Sequence, residues 1–165
     1  MMKLGFSTNA FTSRTLYSTI NTISEIGFDG IELVVDIPHA FLPLKKENVK
    51  NLKNHLKQKN LQISNLNANT VLGWYEGKKI TEKFEPSLSN KNSKLRNWRI
   101  SYTKKTIDLA LELNSSSICL TSGLNNNNSN EELLLFKKSL DIVAEYAEKK
   151  NILIAIEYEP GLLIE

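Results

Sequence analysis

Short apolar runs alternate with longer amphipathic stretches along the whole chain. The short runs are rich in β-branched residues, which is typical of strands, and the longer stretches repeat apolar residues at helical spacing. This alternation predicts an α/β fold of four βα units and a fifth strand, in which right-handed crossovers connect parallel strands. The predicted strands are residues 3–7, 30–35, 61–67, 117–121 and 152–156.

Each predicted helix is followed by a residue that tolerates the left-handed backbone conformation. Gly27, Asn60, Asn114 and Asn151 occupy these positions, where a helix needs its C-terminal stop before the next strand. Apolar residues at helical spacing predict the face that each helix packs against the sheet. These stripes are Leu16, Ile20, Ile23 and Ile26; Val49, Leu52 and Leu56; Ile100, Thr103, Ile107, Ala110 and Leu111; and Leu133, Phe136, Leu140, Val143 and Ala147.

The composition is that of one globular domain. The chain has 165 residues, of which 41% are hydrophobic and 24% charged, and its net charge of +3 is too small and too mixed to predict nucleic-acid binding. No apolar run reaches the roughly 18 residues of a membrane span, and the amino terminus lacks a signal-peptide segment. The one cysteine, Cys119, lies in an apolar run, which predicts a buried thiol in a reducing compartment. We therefore expect a soluble, cytoplasmic protein.

The last apolar run, residues 152–156, ends in two carboxylates, Glu157 and Glu159. Its composition predicts a fully buried strand that is covered on both faces. Alternate residues of a strand share one side, so we expect both carboxylates to point the same way. A carboxylate at the end of a buried strand must be hydrated, paired or bound to a metal. Two interpretations stay open: a ligand site at the carboxyl end of the sheet, or pairing with lysines at the strand exit.

The stretch between the third strand and the third helix, residues 68–93, is longer than an ordinary connection and lacks clear periodicity. Its aromatic residues, among them Trp74 and Phe84, indicate order. The stretch is predicted either to form a wall or lid over the site, with Trp74 contacting substrate, or to pack onto the helices. Asn67 and Asn69 alternate onto one face where the third strand ends. They are candidate hydrogen-bond donors to a polyol, although asparagine is also an ordinary strand-exit residue.

Two further residues are candidate substrate contacts. His39 follows the second strand and could reach substrate hydroxyls, or it could be an ordinary loop histidine. Glu32 lies within the second strand and could reach the interior of the sheet. Its alternative role is a structural ion pair with Lys3 or another interior cation.

Several segments together resemble a known superfamily. The segments are MKLGFSTNAF, IGFDGIELVVDIPHAF, LQISNLNANT, RNWRISYTKKTIDLALELNSSSI and IAIEYEPGLLIE. They are similar to the N-terminal part of the xylose isomerase-like TIM barrel superfamily, and within it to the sugar phosphate isomerase/epimerase group. The resemblance covers essentially the whole chain. It implies that residues 1–165 form the N-terminal part of a single domain of this type.

The resemblance also implies a chemistry. Many members hold a divalent metal at the carboxyl-end mouth of the barrel with Glu, Asp, His and Glu from four later strands, and Glu157 matches the first of these ligands. Mn, Mg, Co and Zn are not distinguished. The metal would hold a carbonyl and a neighbouring hydroxyl of a sugar while a carboxylate pair, Glu157 and Glu159, moves a proton between carbons or faces. That is aldose–ketose isomerisation or epimerisation.

The chain departs from this pattern in length. A full barrel takes roughly 250 residues, and the other three ligands are not found in residues 1–165. We therefore expect an incomplete barrel, inactive alone, with exposed edges at its first and fifth strands. A second polypeptide or self-association is the expected means of completion. The alternatives are a non-catalytic half-barrel binding module and, less favoured because residues 65–70 and 121–123 lack histidine, an apurinic endonuclease-like hydrolase.

Overall fold

The computed structural model of the protein describes residues 2–76, 78–80, 82, 84–126 and 130–164. In these ranges five strands alternate with four α-helices, and a short 3-10 helix, Thr8–Phe11, follows the first strand. The strands are β1 (Gly5–Ser7), β2 (Gly30–Val34), β3 (Gln62–Asn67), β4 (Ser117–Leu120) and β5 (Leu153–Ile156). The helices are α1 (Leu16–Ile26), α2 (Lys46–Gln58), α3 (Ser93–Glu112) and α4 (Asn130–Glu148).

The strands form one parallel sheet in the order β1-β2-β3-β4-β5. The predicted alternation of four βα units and a fifth strand is thus confirmed. Because every strand runs in the same direction, all carboxyl ends lie along one edge of the sheet. Chain segments that follow β3, β4 and β5 therefore meet at that edge, and this brings together residues far apart in sequence.

The predicted helix stops are confirmed in their backbone geometry. Gly27 has φ 99°, and Asn60, Asn114 and Asn151 have φ 55°, 58° and 55°. A positive φ of this kind disfavours most side chains but suits glycine and asparagine. Each stop turns the chain from a helix into the next strand, so these four residues mark the boundaries between the βα units.

The hydrophobic core lies between the helices and one face of the sheet, the outer face. Ile31, Leu33, Leu66 and Ile118, alternate residues of β2, β3 and β4, point to this face and are fully buried. Burying an aliphatic side chain of this size stabilises the fold by about 1.5–3 kcal/mol relative to leaving it exposed. The side chains that alternate with these core residues therefore point to the opposite face of the sheet.

That opposite, inner face is polar over four strands. Glu32 Oε1 accepts a hydrogen bond from Ser7 Oγ at 2.8 Å, and its Oε2 accepts one from Asn65 Nδ2 at 3.0 Å. Ser117 Oγ in turn donates to Asn65 Oδ1 at 3.0 Å. A hydrogen-bonded row thus crosses β1, β2, β3 and β4, with the Glu32 carboxylate at its centre.

The prediction that residues 152–156 form a fully buried strand is wrong. Leu153 is 70% exposed and Ile156 is 39% exposed. β5 is an edge of the sheet in the described residues, so the inner side at Leu153 is open, and no described helix follows β5 to cover Ile156 on the outer side. Leu4 and Phe6, at the β1 edge, are also exposed. The apolar composition of β5 therefore does not reflect its surroundings in this chain.

The predicted helix stripes are largely right, with errors at their ends. Ile26, Leu111 and Leu133 are exposed, whereas Arg99 and Tyr102 join the buried side of α3. No helix in the described ranges combines the length and the apolarity that a membrane crossing would need. The buried free thiol of Cys119 was also predicted and is confirmed.

Candidate functional site

The polar residues at the carboxyl ends of β3, β4 and β5 form a cluster that we term the mouth. It comprises Asn67, Asn69, Thr121 and Glu157, and Glu159 follows two residues after Glu157. The Glu157 N–H donates to the Leu120 carbonyl at 2.9 Å, which continues the pairing of β4 with β5 by one residue. Backbone pairing therefore fixes where the Glu157 side chain begins.

Glu157 is held on one of its two carboxylate oxygens. Asn69 Nδ2 donates to Glu157 Oε2 at 3.1 Å. Partial burial raises the pKa of the Glu157 carboxyl above its ordinary value, and the negative charges of Glu32 and Glu159 raise it further, while the hydrogen bond from Asn69 opposes the shift. A carboxylate with a raised pKa is a stronger base than an ordinary glutamate.

Asn69 is the centre of the mouth. Its Oδ1 accepts hydrogen bonds from the Thr121 N–H at 2.8 Å and from Thr121 Oγ1 at 2.9 Å. Its backbone N–H donates to Asn67 Oδ1 at 3.0 Å. With the amide oxygen engaged by Thr121, the amide NH₂ is directed at Glu157. The oxygen of Asn67 is likewise engaged, in a local turn with Asn69.

Three carboxylates, Glu32, Glu157 and Glu159, lie on the inner face or at the mouth. None of them forms an ion pair with a basic side chain within the described part of the chain. Lys3, the predicted alternative partner of Glu32, instead donates to Gln62 Oε1 at 3.0 Å. The inner face and mouth thus carry negative charge that no cation of the described residues balances.

The residues described here do not by themselves fit a resident metal ion. No group of three or more His, Cys, Asp or Glu side chains in these ranges could hold one. A carboxylate oxygen is a suitable ligand for Mg²⁺ or Mn²⁺, but Glu157 is a single such ligand. Burial above all, and then the charge of the nearby Glu32, raises the pKa of the Cys119 thiol to about 12, so the unliganded thiol stays protonated at neutral pH.

His39 lies next to the backbone of the segment that follows β1. It is 9% exposed, and neither ring nitrogen has a hydrogen-bond partner in the described structure. Burial lowers the pKa of the imidazole, and the backbone of Phe11 and Arg14 partly opposes this. These neighbours follow β1, at the opposite edge of the sheet from β5. His39 as a substrate contact stays a prediction.

Trp74 packs the long connection (residues 68–92) onto α3. Its ring centroid lies 4.5 Å from that of Trp98, which stacks on Tyr102 at 5.1 Å. Tyr102 then stacks on Phe41 at 5.5 Å. These contacts hold the part of the connection around Trp74 against α3, and a contact of Trp74 with substrate stays a prediction.

A buried carboxylate that the sequence reasoning missed, Asp36, holds the start of the long connection. Its Oδ1 accepts hydrogen bonds from Thr70 Oγ1 at 2.8 Å and the Gly73 N–H at 2.7 Å. Its Oδ2 accepts from the N–H groups of Val71 at 2.8 Å and Leu72 at 2.9 Å. In the sequence, Asp36 can be recognised as an acidic residue directly after the apolar run of the second strand.

A buried arginine, also missed, holds the same segment from α3. Arg99 donates to the carbonyls of Ala68 at 2.9 Å, Thr70 at 2.7 Å and Pro86. Burial above all lowers its pKa to about 10, so the guanidinium stays charged at neutral pH. In the sequence, Arg99 can be recognised as a charged residue on the predicted apolar stripe of α3, four positions before Thr103.

The far end of the connection is fixed to the exit of β4. Glu85 accepts hydrogen bonds from the N–H and Oγ of Ser87 at 2.7 and 2.8 Å, and from Asn90 Nδ2 at 2.6 Å. Gly123 has φ 92°, and a Cβ there would lie 2.4 Å from Ser89 Oγ. Only glycine permits this approach. Close contact with Gly123 thus fixes residues 87–89 beside the exit of β4, while a wall or lid over the site stays a prediction.

Solved structures share this fold. A D-tagatose 3-epimerase-like protein superposes with a TM-score of 0.75 at 22% identity, over 98% of this chain and 55% of that one. A 3-keto-D-glucoside 4-epimerase from E. coli gives 0.72 at 15% identity, over 98% and 58%. The probable 3-DHS dehydratase of Bacillus anthracis gives 0.69 at 21% identity, over 98% and 54%.

The chain spans about half the length of these solved structures. At such identities the likeness establishes the fold, and a fold of this kind hosts several chemistries. No curated protein sequence matches the chain significantly. A family model described as xylose isomerase-like TIM barrel matches residues 20–165. The chain belongs to the xylose isomerase-like TIM barrel family.

Proposed function

We propose that the chain forms the N-terminal part of a sugar or sugar-phosphate isomerase or epimerase, with Glu157 and Glu159 in proton transfer at carbon. One observation carries the proposal. Glu157 lies at the carboxyl end of β5, is oriented by Asn69 at 3.1 Å, and carries a charge that no described cation balances. Two of the three solved structures compared above are described as sugar epimerases or epimerase-like, which supports this reading.

The proposed chemistry requires a base beside a carbon that is adjacent to a carbonyl. A carboxylate removes the proton from that carbon, and the electron pair of the C–H bond moves onto the carbonyl oxygen to give an enediolate. Returning the proton to the other face of the same carbon gives an epimer. Returning it to the neighbouring carbon, while the hydroxyl proton on the deprotonated carbon moves to the former carbonyl oxygen, gives an isomer. Glu157 and Glu159, two residues apart, are the proposed pair.

A divalent cation would stabilise the enediolate charge, and we propose Glu157 as one of its ligands. Further ligands would have to come from outside the described residues, which contain no cluster of three. We therefore expect the 165-residue chain alone to bind the cation weakly and to have no isomerase activity. Completion of the barrel by a second polypeptide or by self-association belongs to this proposal, as does a cytoplasmic location.

The sugar is proposed to lie against the inner face and the mouth. Asn67 is the proposed contact with substrate hydroxyls, and Glu32 faces the same side. Asn69 is already engaged by Thr121 and Glu157, so its proposed role is to orient the carboxylate. His39 is buried and the Trp74 ring packs against Trp98, so substrate contacts by those two side chains are the least supported part of the proposal.

A chimera tests the function. The chain replaces the matching N-terminal part of the D-tagatose 3-epimerase-like protein and is incubated with Mn²⁺, Mg²⁺, Co²⁺ or Zn²⁺ in D₂O with a panel of ketoses, aldoses and their phosphates. We expect deuterium to enter the sugar at the carbon next to the carbonyl, and the Glu157→Gln chimera to lose this exchange. A folded, metal-loaded chimera that exchanges no sugar would count against the proposal.

A non-catalytic half-barrel binding module is the second candidate. The exposed side chains along β1 and β5, among them Leu4, Phe6 and Leu153, favour it because they offer apolar edges for another protein. A module would need neither a metal nor Glu157. The apurinic endonuclease alternative gains no support, since residues 65–70 and 121–123 contain no histidine.

A further inference from the structure

The orientation of Glu157 depends on how firmly Asn69 is held. Thr121 fixes the amide oxygen of Asn69, but the placement of the Asn69 backbone is a separate requirement. Asn69 lies just past the end of β3, and its own N–H donates to Asn67 Oδ1. The contacts of its two neighbours in sequence, Ala68 and Thr70, hold the backbone on either side of it.

Arg99 brackets Asn69 from both sides. Its Nη1 donates to the Ala68 carbonyl at 2.9 Å, and its Nη2 donates to the Thr70 carbonyl at 2.7 Å. The two acceptors belong to the residues immediately before and after Asn69. The guanidinium fork thus holds the backbone on each side of the one residue whose amide reaches Glu157.

Asp36 holds the residues that follow Asn69. It binds the Thr70 hydroxyl and the next three backbone N–H groups of the chain. Arg99 therefore takes the carbonyls around Asn69, and Asp36 takes the N–H groups beyond it. Both charged groups are buried, so solvent does not compete for these hydrogen bonds.

We propose that Arg99 is a positioning residue, which acts through Asn69 to orient the Glu157 carboxylate. The bearing of this role on catalysis rests on the proposed function. A planar fork with five N–H donors can serve two carbonyls in one plane and a third, Pro86, through Nε. A lysine at this position keeps the charge but has a single ammonium centre. It cannot reproduce that geometry.

Side-chain NMR of the ¹⁵N-labelled 165-residue chain tests the proposal. In Arg99→Lys we expect the Asn69 NH₂ signals to shift toward those of an exposed asparagine such as Asn97. The matched control is Arg96→Lys on the same helix, because Arg96 donates to the carbonyls of Asn90 and Lys91, at the other end of the connection. The control should leave the Asn69 signals in place.

The outcomes separate positioning from mere stability. If Arg99→Lys lowers the stability but leaves the Asn69 signals where Arg96→Lys leaves them, the proposal is overturned. If Arg99→Lys does not fold, couplings across the hydrogen bonds of the unmodified chain decide. Couplings from Arg99 to the Ala68 and Thr70 carbonyls and from Asn69 to the Glu157 carboxylate support the proposal, and absence of either set overturns it. No metal or sugar is used, so failure here is distinct from a chimera without sugar exchange.

Discussion

Replacing Asp36 with asparagine should cost a large share of the chain's stability. The substitution keeps the shape of the side chain and changes one oxygen to an NH₂ group. If the NH₂ takes the place of Oδ1, the Thr70 hydroxyl can turn and accept, but the buried Gly73 N–H loses its acceptor. If it takes the place of Oδ2, the N–H groups of Val71 and Leu72 both lose theirs.

The first orientation is therefore preferred, and its cost follows from one lost bond. A hydrogen bond to a charged group contributes about 1.5–3 kcal/mol, and a buried donor left without a partner costs about 1–3 kcal/mol. The loss of the Asp36 charge beside the buried Arg99 adds to this. We expect Asp36→Asn to lower the free energy of unfolding by about 3 kcal/mol, against a total of about 5–15 kcal/mol for a domain.

Urea unfolding followed by tryptophan fluorescence measures this loss. Trp74 and Trp98 are the chain's only tryptophans, and their ring centroids lie 4.5 Å apart, with the rings tilted by 55°, at the junction that Asp36 supports. With a slope of about 2 kcal/mol per molar urea, the midpoint should fall by about 1.5 M. The matched control is Asp141→Asn, on the exposed face of α4. An unfolding free energy of Asp36→Asn within about 0.5 kcal/mol of the unmodified chain would refute the reasoning.

Three further outcomes are expected. The folded state lowers the pKa of His39, so the unfolded chain binds more protons below about pH 6.5, and the stability decreases as the pH is lowered, by at most about 1.4 kcal/mol per pH unit. In urea titrations at several pH values, His39→Leu should flatten this dependence, and an unchanged slope would contradict the prediction. The folded state raises the pKa of Glu157, so the ionised carboxylate destabilises the fold. Glu157→Gln should therefore stabilise the chain slightly at pH 7 and less near pH 4, whereas the control Glu148→Gln, at an exposed position, should not. The isolated chain should convert no ketose or aldose with any of the four divalent metals; turnover that depends on stoichiometric metal would show that it is complete.

Much of the fold can be predicted from the sequence because it depends on local signals. Gly27, Asn60, Asn114 and Asn151 mark helix ends by a backbone conformation that few other residues adopt. The apolar runs mark strands, and alternation with helices implies parallel order. The composition of β5 predicts burial wrongly, because burial depends on which neighbours the sheet has and not on the strand's own composition. Only the number of strands, fewer than a barrel needs, predicts its exposed edge.

The candidate site is only partly predictable for a related reason. Glu157 and Asn69 stand out as polar residues at strand ends, and the parallel sheet brings such ends together. Arg99 and Asp36 bind groups 13 to 37 residues away, in a stretch that has no periodicity. Spacing along the chain gives no sign of such partners. A charged residue on an apolar stripe is the signal that would have singled out Arg99.

Binding of Mn²⁺ to the isolated chain most directly tests whether the mouth is a carboxylate site that lacks a cation. Titration of the ¹⁵N-labelled chain with Mn²⁺ should broaden the signals around Glu157, Asn69 and Thr121 first, without saturating at low concentration, and Glu157→Gln should abolish this broadening. Broadening that centres on another acidic surface, such as the solvent-exposed side of α4 around Glu145, would contradict this claim. Broadening that persists unchanged in Glu157→Gln would also contradict it.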